Sequence, residues 1–407
     1  MKHNKLLALL VLPMMISACS PKAGFNTIEY EKELEGTEKA VVLANVRAAL
    51  MEKLVSVSGK MEGFSKSDLV EAKGTYETNI TLNADGYIRT KGSYDVTTTA
   101  NGAKQHTVRK SDTKTFEYDK DKFATYGTND DDFVFSTTTS TAQEQYEDVV
   151  EGIIDDFDGF TVAVDKKGNT KIFSTSKQET YTPITWGEKT KVVHSIVKSQ
   201  QYYEIAKDYT IKSSYMYQSQ ETNQDPDTGN VKDKVSKVME IKYSYTYKYG
   251  TRASKIGEYQ NELAEIKGKT YFVGTPSISV AYYKGTDLYR SSYATQSAKR
   301  LALDKYQMTI QGTLESSYFY NEYADRIALQ GSANLGKYGA ESTSETFLVP
   351  FTGFVGNTNV EVSNNNYLVV KNPTNLSSAI KLTVSFIVTV EANKPVVQNG
   401  SVQIVVG

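Results

Sequence analysis

The chain has a single cysteine in 407 residues, Cys19, and only three histidines. One cysteine excludes any disulfide within the chain, so its stability has to come from packing. Beyond the first few residues only His106 and His194 remain, too few without a further thiol to build a zinc triad, and each is expected to lie on a strand surface. No Pro- or Ser-rich stretch marks a linker, and no period of roughly 20 to 50 residues recurs, which argues against a solenoid. The one sustained apolar run, Leu6 to Met15, is too short to span a bilayer. Acidic and basic residues nearly balance, 48 against 46, so no basic field invites nucleic acid.

What is present begins at that cysteine. Lys2 and Lys5 precede the apolar run, and small residues follow it in the tetrapeptide Ile16-Ser17-Ala18-Cys19, which resembles the lipobox of bacterial lipoproteins. The resemblance implies that residues 1–18 are a signal peptide that is removed and that Cys19 becomes a lipid-modified N-terminus. It also implies a lipid-anchored place at the cell membrane, facing outside the cytoplasm, with the membrane as a partner. Each buried CH₂ of an acyl chain contributes ~0.8 kcal/mol, so the two or three chains implied by the resemblance hold durably where one would not. Loss of Lys2 and Lys5 shifts the formal charge to about −4. Residues 19–36 read as a lipidated tether, because Pro21 and Gly24 interrupt any regular element and little in Ser20 to Asn26 offers packing. The rest is long enough for two or three domains, each with its own core.

Residues 38–54 are predicted to form an amphipathic helix, with Val42, Val46, Ala49, Leu50 and Leu54 at three- and four-residue steps and Thr37 as N-cap. Long strands with short turns follow. A three-residue loop Ala84 to Gly86 pairs Leu82 with Ile88 and Tyr76 with Tyr94. A second loop, Lys166 to Gly168, sets Val164 across from Thr170 and Val162 across from Ile172. A third, Asp227 to Gly229, brings Tyr217 opposite Met239 and Tyr215 opposite Ile241. On the second arm of that hairpin Met239, Ile241, Tyr243, Tyr245, Tyr247 and Tyr249 alternate without a break against polar residues. Thr141 with Glu144 makes a capping-box pattern ahead of a helical stripe through Tyr146, Val150 and Ile153. After Gly250 short helices are expected at 258–266 and 297–305, alternating with strands near 306–320 and 324–335, and from about 345 onward the pattern is all strand.

Helix running straight into a first strand at Val55, in the stretch AALMEKLVSVSGKMEGF, followed by meandering strands with a second helix inserted, resembles the half-barrel carriers of lipoproteins and glycolipids of the LolA and LppX/LprG type. The likeness covers at most residues 37–250. It implies a concave apolar face able to hold an acyl chain, and no catalytic signature.

Three Ser-x-x-Lys matches, Ser111/Lys114, Ser174/Lys177 and Ser195/Lys198, resemble the serine nucleophile motif of penicillin-binding proteins. That chemistry needs a helix to bring both side chains to one face, whereas in strand sequence a three-residue step points them apart. Carboxylate clusters at Asp130/Asp131/Asp132, Asp155/Asp156/Asp158 and Asp225/Asp227/Asp233 lack the full calcium-loop pattern, and turn chemistry accounts for the last. The chain is therefore expected to be no enzyme and to need no cofactor or metal.

The 29 tyrosines against 15 phenylalanines remain. The row Tyr243, Tyr245, Tyr247 and Tyr249, with Tyr215 and Tyr217 across the hairpin, reads either as a ligand platform or as a half-wet sheet face. The expected fold class is mainly β with a few helices and antiparallel sheets. A helix-on-curved-sheet, half-barrel-like domain occupies 37–250 and a β-rich domain 251–407, with a sub-boundary near 340. Two functions fit: a non-catalytic module that binds or carries an amphiphilic ligand, or a surface structural protein that meets a protein partner.

Overall fold

The structure, a computed structural model, describes residues 23–186, 188–314, 318–319, 321–352, 354, 360–371 and 380–406. Strand accounts for 62% and helix for 14%, in antiparallel sheets that close into no barrel among the described residues, so the expected mainly-β class holds. In chain order come β1 (Lys32–Leu34), α1 (Gly36–Lys53), β2 (Leu54–Lys66), β3 (Val70–Leu82), β4 (Ile88–Ala100) and β5 (Ala103–Asp119). The hairpin β6 (Lys122–Asn129) and β7 (Asp132–Thr139) leads to α2 (Ala142–Ile154). Then follow β8 (Thr161–Val164), β9 (Thr170–Trp186), β10 (Lys189–Ile205), β11 (Ile211–Gln224) and β12 (Val231–Tyr249).

Two compact units result. The first comprises the described residues up to Glu117 together with Thr139–Ile256; the second comprises Tyr118–Thr138 and the described residues from Gly257 onward. The division thus falls at Ile256, where the sequence suggested about 250. The β6–β7 hairpin, expected in the first domain, belongs to the second. Its packing is the reason. The buried Arg300 donates from Nη1 to the Phe135 carbonyl at 3.1 Å, the Phe135 ring meets Tyr271 edge-on at 5.1 Å, and Lys299 pairs with Asp132 at 3.0 Å.

In the first unit the strand order is β1-β8-β9-β10-β11-β12-β2-β3-β4-β5. The two hairpins with tight loops take the register expected of them: Leu82 faces Ile88, Tyr76 faces Tyr94, Val162 faces Ile172 and Val164 faces Thr170. Asp85 (φ 62°), Gly86 (φ 73°) and Gly168 (φ 77°) supply the left-handed residues that such loops require. The third hairpin departs from expectation. Irregularities at Gln220/Glu221 and Thr222/Gln224 place Tyr217 opposite Lys242 and Tyr215 opposite Ser244, where Met239 and Ile241 were expected. A bulge adds a residue to one arm only, so the alternation survives along each strand while the phase between the strands shifts by one face.

Both helices belong to the first unit's core. Val46, Ala49 and Leu50 of α1 and Tyr146, Val150 and Ile153 of α2 are buried. All of these but Ala49 join Val57, Ile80, Leu82, Val162, Ile172 and Tyr203 from the strands in one apolar cluster. Each such side chain contributes about 1.5–3 kcal/mol by leaving water. At α2 the capping box forms as its sequence indicates: Glu144 N donates to Thr141 Oγ1 at 3.3 Å, and Thr141 N donates to Glu144 Oε2 at 2.6 Å. At α1 the N-cap is Glu35 and Thr37 lies inside the helix. Gly36 at φ 51° sets the entry angle, so the cap moves two residues upstream.

The second unit has its own core, which includes Phe272, Tyr282, Met308, Leu329, Val384 and Phe386. One sheet is built around Arg326–Lys337, which pairs with Ser277–Lys284, Thr343–Val349 and Tyr367–Val370. Another is built around Ile380–Glu391, which pairs with Lys305–Leu314, Lys394–Val397 and Gln403–Val406. The helix expected at 258–266 is found at Gln260–Gly268. The one expected at 297–305 is instead strand Thr295–Ala302, paired with Lys305–Leu314. A full ladder of backbone hydrogen bonds and the burial of Arg300 outweigh a weak local helical spacing there.

Candidate functional site

Cys19, the expected lipidation site, and the signal peptide 1–18 lie outside the described residues. The six tyrosines of the candidate platform are described, and the register divides them between the two faces of the first unit's sheet. Tyr243 faces Met216 and Met61, Tyr245 faces Ser214 and Gly59, and Tyr247 faces Val57. These three share the face that carries both helices. Tyr215 and Tyr217 point to the other face, with Tyr202, Gln200, Ser244 and Lys242. The platform is therefore not one surface.

Nor is it open. Tyr245 is fully buried and Tyr243 and Tyr247 nearly so, within the cluster that includes Leu50, Tyr146 and Val150. Gly59 makes room for the Tyr245 ring: a Cβ there would come within 2.0 Å of its Cε1. The Tyr247 hydroxyl meets Ser214 Oγ at 2.8 Å, whereas the Tyr245 hydroxyl has no hydrogen-bond partner among the described residues. Burial pushes the hydroxyl pKa of Tyr243, Tyr245 and Tyr247 upward, so none supplies a phenolate near neutral pH. Tyr249 ends the row. Its hydroxyl accepts from Ile211 N at 2.8 Å and donates to Ile211 O at 3.0 Å, closing the end of the sheet.

On the opposite face Tyr215 stacks on Tyr202 at 5.2 Å and donates to Gln200 Oε1 at 2.7 Å. Tyr217 donates to Glu240 Oε1 at 3.0 Å. Residues 23–34, expected to be slack tether, are laid on this unit. Asn26 N donates to Gln200 Oε1 at 3.0 Å, Gln200 Nε2 donates to Asn26 O at 2.8 Å, and β1 pairs with β8. Ala23 and Ile28 are partly buried against the core, and Tyr30 lies over Phe173 at 5.7 Å. No motif marks Gln200 or Asn26, and only the pairing of distant strands brings them together.

Two clefts open on the first unit. One of about 650 Å³ is lined by Glu52, Lys53, Tyr146, Tyr249, Gly250, Thr251 and Arg252. Its arginine is committed: Arg252 donates to the carbonyls of Leu54 at 2.9 Å and Met51 at 2.6 Å, and lies 4.0 Å over the Tyr146 ring. Tyr146 in turn donates to Asn83 O at 2.5 Å and accepts from Gly86 N at 2.8 Å. The other cleft, about 570 Å³, is lined mainly by charged and small residues, including Glu62, Lys73, Asp95, Glu240 and Lys242. Its charges are paired, Lys242 with Glu240 at 2.8 Å and Lys60 with Glu62 at 3.1 Å. Neither lining suits an acyl chain, which needs a continuous apolar wall.

All three Ser-x-x-Lys pairs fall within strands, Ser111 and Lys114 in β5, Ser174 and Lys177 in β9, Ser195 and Lys198 in β10. Ser195 meets Thr222 while Lys198 pairs with Glu221, each across the ladder on its own face. His106 pairs with Asp95, and His194 pairs with Glu179 beneath the ring of Tyr181. Among the described residues no group of three His, Cys, Asp or Glu is arranged to hold a metal. Asp225 instead shapes its loop by accepting from Asp227 N at 2.8 Å. No described helix is long and apolar enough to cross a membrane.

No protein-family model matches the sequence, and no curated protein does. Among solved structures, a porin-like protein from Bacteroides uniformis ATCC 8492 aligns with 73% of this chain and 96% of its own, at 10% identity and a TM-score of 0.15. A likeness of that size carries no inference about fold or function.

Proposed function

We propose that this chain is a lipid-anchored, extracytoplasmic protein whose β units act as a non-catalytic structural or protein-interaction module. The anchor rests on the lipobox-like Ile16-Ser17-Ala18-Cys19 and the segment ahead of it. The choice of an interaction role over amphiphile carriage rests on one observation: Tyr243, Tyr245 and Tyr247 are buried in the same apolar cluster as the inward residues of α1 and α2, as packed core rather than the wall of an open groove. A carried acyl chain needs an apolar cavity of some hundreds of cubic ångströms, about 300 Å³ or more. The two clefts are of sufficient volume, but charged side chains line both.

Native mass spectrometry of the gently extracted chain separates the two roles. A bare polypeptide apart from its N-terminal acyl groups is expected, and a stoichiometric co-purifying lipid would return the carrier reading. Cys19→Ala should leave the membrane fraction or stall in processing. An unchanged distribution would overturn the anchor.

A further inference from the structure

Gln200 lies in the middle of β10, is only 1% exposed, and has all four polar positions of its amide occupied. Its Oε1 accepts from Asn26 N and Tyr215 OH, and its Nε2 donates to Asn26 O and to Thr175 Oγ1 at 3.1 Å. Two of those four bonds grip both backbone groups of one residue, a contact indifferent to side-chain identity. The segment around it is held unevenly. Toward the helix, β1 is zipped to β8 and Leu34 is in the core. Toward the N-terminus, residues 24–31 are mostly exposed. Beyond the Asn26 grip, to which the Asn26 Nδ2 adds a bond to Tyr215 OH at 3.3 Å, they are held by Ile28 packed partly against the core, the Lys171 bond to Glu29 O at 2.8 Å, Tyr30 over Phe173, and Glu31 N to Val164 O at 2.9 Å.

We propose that residues 23–31 form a releasable strap latched by the Gln200 amide, and that the latch sets how far the first unit can stand from the membrane. The second half of this rests on the lipid anchor at Cys19. With the latch closed, Cys19 and Asn26 are seven residues apart, and no conformation of that stretch spans more than ~25 Å. With the strap released as far as Glu31 the limit becomes ~43 Å. Segments held by few buried contacts open locally without global unfolding, and the strap has that character while β1 does not.

Hydrogen exchange of the extracted full chain tests the latch from both sides. Gln200→Leu removes the grip from the sheet, and Asn26→Pro removes the strap's own N–H and its side-chain bond to Tyr215 OH while leaving every sheet residue in place. The Glu31 amide in both variants, and the Asn26 amide in Gln200→Leu, should exchange at least tenfold faster, with those of Tyr243–Tyr247 unchanged. Unaltered protection of the Glu31 amide in both variants, or a parental Glu31 amide as slow as those of Tyr243–Tyr247, overturns the strap. For the spacing, Lys177→Cys gives one free thiol for a donor dye on lipidated protein in phosphatidylcholine vesicles that contain acceptor-labelled lipid. Energy transfer should fall when Asn26→Pro is added. Faster exchange with unchanged transfer overturns the spacing and leaves the strap. An N-terminal peptide without acyl mass overturns the anchor instead.

Discussion

Replacement of Tyr245 by phenylalanine should stabilise the first unit. The ring is fully buried over Gly59, and its hydroxyl has no hydrogen-bond partner among the described residues. Leaving a buried donor unpaired costs about 1–3 kcal/mol, so its removal at constant ring shape should recover ~1 kcal/mol, or about 2–4 °C in melting temperature for a unit of this size. Tyr247→Phe provides the control of opposite sign. It deletes the 2.8 Å bond to Ser214 Oγ and should lower stability by ~1 kcal/mol. Gly59→Ala presses a methyl group onto the same ring and should cost about 1–3 kcal/mol or more. Urea denaturation followed by far-ultraviolet circular dichroism reads all three on one scale. A Tyr245→Phe variant that loses more than ~1 kcal/mol would mean that its hydroxyl is bonded, and the account of the row as plain core would fail with it.

Arg252→Ala removes the guanidinium that binds the last carbonyls of α1 and covers Tyr146, and should cost about 2 kcal/mol, with Arg252→Lys recovering less than half because an ammonium lacks the fork. A denaturation midpoint equal to the parent's would contradict this. Arg300→Ala takes the Arg300 donors from the carbonyls of Phe272 and Phe135 and one of two donors from Leu303 O, and should destabilise the second unit by about 3 kcal/mol or more, read as early protease cleavage within residues 257–314. The Asp165 carboxylate is held at about 2, first by the Asn169 backbone N–H and further by the Asn169 side chain and the Lys167 N–H. Because that folded value lies below the ordinary one, its contribution is complete above pH ~4 and is lost as pH falls toward about 2. Asp165→Asn should remove that part of the acid dependence, and an unchanged acid-denaturation profile would refute it.

The turns that could be read from sequence are those decided by their own residues. Ala84 to Gly86 and Lys166 to Gly168 carry a left-handed glycine in a short loop, and each fixes its hairpin register. The α2 capping box is equally local, with donor and acceptor three residues apart. Asp227 to Gly229 looks the same in sequence. There two irregularities on the arms, which no periodicity reveals, moved Tyr215 and Tyr217 to the other face. The strand at Thr295–Ala302 departs from its local helical spacing for a similar reason, since its state depends on a partner strand and on the burial of Arg300.

Alternation of side chains and turn chemistry therefore determined from sequence alone that this is a mainly antiparallel β protein, with a few helices amid the strands that follow its lipobox-like start. Such signals are short-range, and a strand pattern states which residues share a face without stating what that face meets. Whether the tyrosine row is a platform or a core was decided only when β12 paired with β2 and placed Tyr245 over Gly59. The union of Asn26 with Gln200, 174 residues apart, was likewise decided only by the tertiary structure. Contacts of that span depend on the strand order as a whole, which no local pattern encodes.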